Sequence, residues 1–240
     1  ADFDMDRIAG CNPLTIEFNN EANVPSGTDY SWSFGDGATS ALPNPKHTFF
    51  NYDRARDTTY TIGLEVISPY ECRHDTSKSI TVYHQPKARF EIDTTSSCPP
   101  LESTMTDIST GHDSLQWRFG DGTFNSSDPT VIHSYPNVTN DVKPYNLELY
   151  VETDRGCADS TGLVLNVYPE VMARFDIEDT MSCAPLVTGF INDSRNADYY
   201  NWDFGDGATS SQEEPVHKFV NTSEQDTTYY IELIASSAFE

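Results

Sequence analysis

Three aspartates recur in one setting. Asp36, Asp121 and Asp206 each stand in a Phe-Gly-Asp-Gly tetrapeptide, at Phe34–Gly37, Phe119–Gly122 and Phe204–Gly207, with a spacing of 85 residues both times. A carboxylate between glycines can do two kinds of chemistry. It can accept nearby backbone N–H groups and tighten a turn, with Gly35, Gly37, Gly120, Gly122, Gly205 and Gly207 supplying positive φ without steric cost. It can also offer oxygens to a metal ion or a substrate. A residue present in every copy of a repeat most simply specifies the fold, because catalytic chemistry is rarely needed in triplicate. The same logic makes His47, His133 and His217, which follow each motif, packing or turn-capping residues. The sequence contains no Gly-x-Ser-x-Gly elbow, HExxH or P-loop, and no residue is assigned a catalytic role.

A second set of carboxylates sits on alternate positions and hence on one strand face: Asp2, Asp4 and Asp6; Glu91 and Asp93; Asp176 and Glu178. Calcium takes several such oxygens together with carbonyls and water. The expectation is therefore no organic cofactor, with Ca2+ as the one candidate ion. Solvated negative charge is the alternative.

The cysteines carry redox chemistry. Cys11, Cys98 and Cys183 open Cys-x-Pro-Leu at the start of each repeat, while Cys72 and Cys157 each follow a tyrosine (Tyr60, Tyr145) by twelve residues. Counting twelve from Tyr230 places the matching sixth cysteine at 242, which leaves Cys183 unpaired. Recurrence suggests pairing within each repeat, Cys11 with Cys72 and Cys98 with Cys157. Each bridge closes a loop of about 60 residues, worth roughly 4 kcal/mol in the chain-entropy model. Buried free thiols are the alternative. Disulfides persist in oxidising compartments and place the chain outside the cytosol.

Charge narrows the partners. Against 38 Asp+Glu stand 14 Lys+Arg, a formal net charge of −24, so phosphate backbones are repelled and nucleic acid is excluded as a ligand. Thirteen Tyr, thirteen Phe and three Trp supply core aromatics and argue against disorder. No apolar run has the length of a membrane-spanning helix. The chain opens Ala-Asp-Phe-Asp, without a signal-peptide pattern, and reads as a mature fragment of something longer.

These residues need strands to position them. Phe3–Ile8, Leu14–Asn19, Tyr30–Phe34, His47–Phe50, Tyr60–Ile67 and Ser79–Tyr83 read as strands in the first repeat, with no sustained helical period. About seven short strands per repeat give an all-β sandwich with Greek-key connections. Trp32, Trp117 and Trp202 lie two residues before each Phe (Phe34, Phe119, Phe204), so both rings of a copy point to one face. The period divides the chain into 1–85, 86–171 and 172–240, the last cut before its final strand. Linkers around His84–Arg89 and Pro169–Arg174 are short and contain Pro, so an extended rod is expected.

Tyr30-Ser-Trp32-Ser-Phe34-Gly-Asp-Gly37, Asn44-Pro45-Lys46-His47-Thr48-Phe49 and Tyr60-Thr-Ile-Gly-Leu-Glu-Val66 together resemble the PKD domain. The third repeat matches through Tyr200–Gly207 and Glu214–Phe219, and the second departs by two extra residues between Pro129 and His133. The resemblance implies tandem immunoglobulin-like sandwiches that act as spacers, adhesive surfaces or binding appendages. The Cys-x-Pro-Leu feature is similar to PKD repeats of Bacteroidota surface proteins, many of them type IX secretion substrates, including gliding adhesins. The implied partners are other domains of the same long chain and, at the cell surface, a polysaccharide or a host or neighbouring-cell protein. The alternative functions are an accessory region of a secreted hydrolase and calcium-dependent surface-layer assembly. Thr58, Thr94, Ser114, Ser160, Thr180 and Thr227 each follow an Asp in a pattern that resembles the Bacteroidota O-glycosylation signal. Asn125, Asn137, Asn192 and Asn221 fit the N-glycan sequon.

Overall fold

A computed structural model describes residues 1–239, and among them the regular secondary structure is strand alone. The first repeat contributes β1 (Phe3–Met5), β2 (Ala9–Cys11), β3 (Leu14–Asn20), β4 (Asp29–Ser33), β5 (Thr39–Ser40), β6 (Lys46–Phe49), β7 (Thr58–Ile67) and β8 (Arg73–Tyr83). The second contributes β9 (Phe90–Ile92), β10 (Ser96–Ser97), β11 (Leu101–Asp107), β12 (Ser114–Arg118), β13 (Phe124–Asn125), β14 (Thr130–Tyr135), β15 (Lys143–Glu152) and β16 (Ala158–Val167). The third contributes β17 (Phe175–Ile177), β18 (Leu186–Asn192), β19 (Tyr199–Asp203), β20 (Thr209–Ser210), β21 (Val216–Phe219) and β22 (Glu232–Ser236).

Each repeat is an immunoglobulin-like β-sandwich. In the first, a five-stranded sheet ordered β2-β8-β7-β4-β5 faces a three-stranded sheet ordered β1-β3-β6. The second repeats this as β10-β16-β15-β12-β13 and β14-β11-β9; the third has β20-β19-β22 and β17-β18-β21. Alternation builds the core. Leu14, Ile16 and Phe18 of β3 and Ile62, Leu64 and Val66 of β7 point inward at every second position and are buried. Trp32 is fully buried and packs edge-on against Phe3 at 5.0 Å; Trp202 meets Phe175 in the same way at 5.0 Å.

The opening strand is broken in two. Phe3–Ile8 was expected as one strand, yet β1, which pairs antiparallel with β3, ends at Met5, and β2 beyond that range pairs parallel with β8 in the opposite sheet. The Asp6 carboxylate accepts the Glu17 N–H at 2.9 Å where the strand leaves the first sheet. The last strand is longer than Ser79–Tyr83 and starts at Arg73. Its first half is exposed on both faces, so its sequence carries no apolar alternation.

Contact density groups the chain into two compact units. One comprises Ala1–Glu91, Met105–Val131 and Leu147–Leu163; the other comprises Ile92–Thr104, Ile132–Asn146 and Val164–Glu240. The division passes inside β9, β11, β14, β15 and β16 instead of at the linkers, so the connection from the first repeat to the second lies within the first unit.

Candidate functional site

The Phe-Gly-Asp-Gly turn is a clamp built from three side chains. In the first repeat the Asp36 Oδ1 accepts the Ala38 N–H at 3.0 Å, and Oδ2 meets His47 Nε2 at 2.7 Å. The His47 ring lies flat on Phe34, with centroids 4.2 Å apart. The third repeat reproduces each contact. Ala208 N–H donates to Asp206 Oδ1 at 3.0 Å, His217 Nε2 lies 2.8 Å from Oδ2, and His217 stacks on Phe204 at 4.1 Å. In the second, Asp121 Oδ1 accepts both the N–H and the hydroxyl of Thr123.

The surrounding elements hold this clamp in place. Trp32 Nε1 donates to the Leu42 carbonyl, Trp117 to Asp128 and Trp202 to Gln212, so each tryptophan ties the loop after the turn to its strand. Gly35 has φ +79°, and a Cβ there would lie 2.6 Å from the Thr61 carbonyl oxygen; only glycine fits. Burial alone would raise the Asp36 carboxyl, but the hydrogen bonds from His47 and the Ala38 N–H outweigh it and hold the group below its usual value. For Asp206 the His217 hydrogen bond is the largest influence and likewise holds the carboxyl down. Both are carboxylates committed to turn and imidazole.

The remaining carboxylates do not converge. Among the described residues, no group of three or more His, Cys, Asp or Glu side chains is arranged to hold a metal ion. Asp4, Glu91 and Asp176 are exposed on β1, β9 and β17, and Asp2, Asp6, Asp93 and Glu178 are exposed just beyond the ends of these strands. Asp6 and Asp93 each accept a backbone N–H from the neighbouring strand, from Glu17 and Thr104, both at 2.9 Å. Of the six hydroxyls in the O-glycosylation pattern, Ser114, Ser160, Thr180 and Thr227 are exposed, while Thr58 and Thr94 are half-buried. The Thr58 hydroxyl donates to Asn51 Oδ1 and that of Thr94 to the Ser96 carbonyl.

Two of the apparent N-glycan asparagines are tied into local hydrogen-bond networks, Asn137 buried and Asn221 half-buried. Asn137 is buried, and its Nδ2 donates to the Asp141 and Val167 carbonyls while Oδ1 accepts the N–H and hydroxyl of Thr139. Asn221 Nδ2 donates to Gln225, and Oδ1 accepts the N–H and hydroxyl of Ser223. The hydroxyl two residues on, which makes the sequon, is there to bond the asparagine. Asn51 does the same work in the first repeat with Arg56, Val82 and Thr58.

A groove of about 780 Å³ opens on the third repeat, walled by Leu186, Phe190, Phe219, Asn221, Tyr229 and Ile231 among others. It is the space that β8 fills in the first repeat. There, Ile80 of β8 pairs with Tyr60, and the Val82 carbonyl takes a hydrogen bond from Asn51. Tyr229 and Asn221 are the corresponding groove walls. Nothing in its lining marks a ligand site of its own.

The cysteines join different partners from those expected. Cys11 is bonded to Cys157, 146 residues away, with an S–S distance of 2.03 Å and Cα atoms 5.5 Å apart. Cys72, Cys98 and Cys183 are free thiols. The pairings Cys11–Cys72 and Cys98–Cys157 fail for one geometric reason. Cys11 lies beside Tyr83 at the end of β8, while Cys72 immediately precedes Arg73 at its beginning. Eleven extended residues separate the two ends by roughly 35 Å, far beyond the reach of a disulfide. Cys98 and Cys157 flank β10 and the start of β16 in the same way. Recurrence in every repeat could not say which cysteines pair, or whether partners lie within one repeat or in successive ones.

The bridge is part of a joint. Arg155 sits over the Tyr83 ring at 5.5 Å, and Gln85 Nε2 donates to the Ala158 carbonyl. Asp159 Oδ2 accepts the Ala88 N–H at 2.9 Å and meets Lys87 Nζ at 3.2 Å. Burial pushes the Asp159 carboxyl up, but these bonds prevail and hold it low. His84 donates its N–H to Asp57 and places Nδ1 2.8 Å from the same carboxylate. Every residue from His84 to Ala88 except Pro86 is thus tied by hydrogen bonds.

Residues 3–82 match the family model described as the PKD domain. The chain is similar to the PKD1 domain of the Vibrio cholerae metalloprotease PrtV, with 24% identity over 35% of this chain and 98% of that one and a TM-score of 0.29. It is similar to the PKD1 domain of Vibrio anguillarum Epp at 24% identity, covering 36% and 98%, TM-score 0.29. A Ca2+-stabilized adhesin with which an Antarctic bacterium binds ice covers 93% of this chain and 68% of its own, at 9% identity and a TM-score of 0.31. No curated protein matches the chain in sequence.

Proposed function

We propose that this chain, whose first sandwich is a PKD domain, is a non-catalytic structural and adhesive segment of a larger secreted cell-surface protein, serving as a semi-rigid spacer, stalk or filament module. The observation that supports this most is the joint between the first two sandwiches: a disulfide, a ring contact and a linker tied at nearly every residue. A tethered binding appendage needs a supple hinge at that place. A spacer needs the opposite. The disulfide also favours an oxidising, extracellular setting. Among the described residues, no helix is long and apolar enough to cross a membrane.

The finer assignment is to a Bacteroidota surface protein, delivered by type IX secretion and used in gliding, with glycans on exposed hydroxyls such as Ser160 and Thr180. It rests on the Cys-x-Pro-Leu repeats and the Asp-Ser/Thr pattern. Its contacts are further sandwiches of the same chain and a surface polysaccharide or protein.

Backbone relaxation by NMR tests the spacer reading. Amides of 1–83 and of 105–163 are expected to report one common tumbling time with the bridge intact. Two distinct times, together with saturable shifts on titration with a soluble polysaccharide, would favour the accessory-module alternative instead.

A further inference from the structure

The two linkers enter their sandwiches through the same pairing. Lys87 and Thr110 exchange both backbone hydrogen bonds, at 2.9 and 3.1 Å, and Met172 and Arg195 exchange theirs at 3.1 and 2.9 Å. Two residues along each linker the pattern repeats, with the Ile108 N–H donating to the Arg89 carbonyl and the Asp193 N–H to that of Arg174. The residue after each bridge turns left-handed: Gly111 has φ +72° and Asn196 has φ +58°. Asparagine is among the few side chains that accept this conformation. Conformation alone therefore does not explain why one position is glycine and the other asparagine.

Space explains it. A Cβ on Gly111 would overlap the Arg54 carbonyl group, in the loop between β6 and β7 of the first repeat, and would lie 3.5 Å from the His84 ring. The obstacle is backbone, so no choice of rotamer relieves it. The second joint has room for a side chain and uses it. Asn196 Nδ2 donates to the Glu170 carbonyl of the linker at 2.8 Å and to Asn140 Oδ1 at 3.4 Å, in the loop between β14 and β15 of the second repeat. The same position thus meets the same loop of the preceding repeat, once by backbone and once by side chain.

The two loops differ in length by one residue. Asn51 Nδ2 closes the first on the Arg56 carbonyl, five residues on, and Asn137 Nδ2 closes the second on the Asp141 carbonyl, four residues on. Both asparagines also bond a carbonyl of the last strand, Val82 or Val167, so the two loops hang from one anchor point. The tyrosine hydroxyls record the same difference: Tyr60 reaches ten residues back to the Phe50 carbonyl and Tyr145 nine back to that of Pro136. The longer loop is the one that brings its backbone against a glycine. The shorter loop is the one that meets an asparagine.

We propose that loop length and docking residue form a matched pair that specifies which sandwich can follow which. The longer loop at 52–56 requires glycine at 111, and the shorter loop at 138–141 takes asparagine at 196. Gly111 and Asn196 are positioning residues of the two joints, and the partner each recognises is the loop of the preceding repeat. The repeats are therefore not interchangeable: a sandwich carrying the side chain of Asn196 cannot seat on the first repeat, because the Arg54 carbonyl holds that place. A sandwich carrying glycine there would seat on the second repeat without the amide bonds to Glu170 and Asn140. This goes beyond the spacer reading, because the match stands whether or not the array is adhesive.

The experiment uses the whole 240-residue chain at equilibrium in a glutathione redox buffer. The Cys11–Cys157 bridge reports the first joint, because the effective concentration of its two thiols against glutathione falls when the second sandwich no longer sits on the first. Gly111→Asn should lower that effective concentration by about tenfold, the scale of a lost coupling between groups in contact. The same variant with residues 52–56 replaced by those of 138–141 should regain most of it. A role confined to the local turn would not respond to a loop in another sandwich. At the second joint, Asn196→Gly keeps the left-handed turn and deletes only the amide. Hydrogen exchange at the Met172 and Arg195 amides should quicken by about tenfold, with the Phe190 amide inside the third sandwich unchanged. An unchanged effective concentration in Gly111→Asn, a combined variant no better than the single one, or unchanged exchange at Met172 and Arg195 would overturn the proposal.

Discussion

Cys11 and Cys72 stand at opposite ends of one strand: Cys11 is paired with Tyr83, and Cys72 precedes Arg73, ten residues back along the same β8. Two cysteines so placed cannot bond each other. Cys11 is bonded to Cys157 of the second repeat, and Cys72, at the other end of the strand, is a free thiol.

Thiol labelling of the unfolded, unreduced chain should therefore find three free cysteines, Cys72, Cys98 and Cys183, and peptide mapping should find Cys11 joined to Cys157. A single free thiol, or a Cys11–Cys72 peptide, would contradict the joint.

Replacing Asp36 by Ala should destabilise the first sandwich by about 1–2 kcal/mol, the scale of losing a charge-assisted hydrogen bond to His47 and a bond to the Ala38 N–H. Asp206→Ala should do the same to the third sandwich. Melting curves with calcium and with chelator should shift equally for each mutant. A mutant that loses only a calcium-dependent increment would make the motif an ion site.

The two glycines of one turn should separate sharply. Gly37 has φ +95° with nothing within 4 Å of its missing Cβ, so Gly37→Ala should cost only the left-handed strain of about 1–2 kcal/mol. Gly35→Ala adds a collision with the Thr61 carbonyl and should cost clearly more. Denaturant midpoints of the two variants check the order.

Acid should loosen the clamps in a defined window. Asp36 and Asp206 have lower proton affinity folded than unfolded. Their contribution is complete above the unfolded value of about 3.9 and is lost as pH falls through the lower folded value. Melting temperature should hold above about pH 5 and drop below about pH 4. The drop should be smaller in a chain carrying Asp36→Asn and Asp206→Asn.

The fold was legible because its signals are local or periodic. Alternation in Leu14–Phe18 and Tyr60–Val66 places side chains in or out of a core whatever lies beyond. The Phe-Gly-Asp-Gly turn is likewise written in adjacent residues. The Asp36–His47 contact was legible only in part, because recurrence marks both residues as structural without saying that they meet. The disulfide partners were not legible, since spacing along a chain cannot tell a neighbour within a sandwich from one in the next. The use of Asn137 and Asn221 was not legible for a similar reason: a three-residue pattern is the same whether its hydroxyl serves a modifying enzyme or the asparagine itself.

The Cys11–Cys157 bond changes how this chain would carry a pull. Tension entering at the first strand crosses from one sulfur to the other and continues into β16, so the intervening 146-residue span is never stretched. Fully drawn out, that span would add roughly 500 Å of slack. With the bond closed, most of two sandwiches is removed from the load path; a reductant would return that length to the chain.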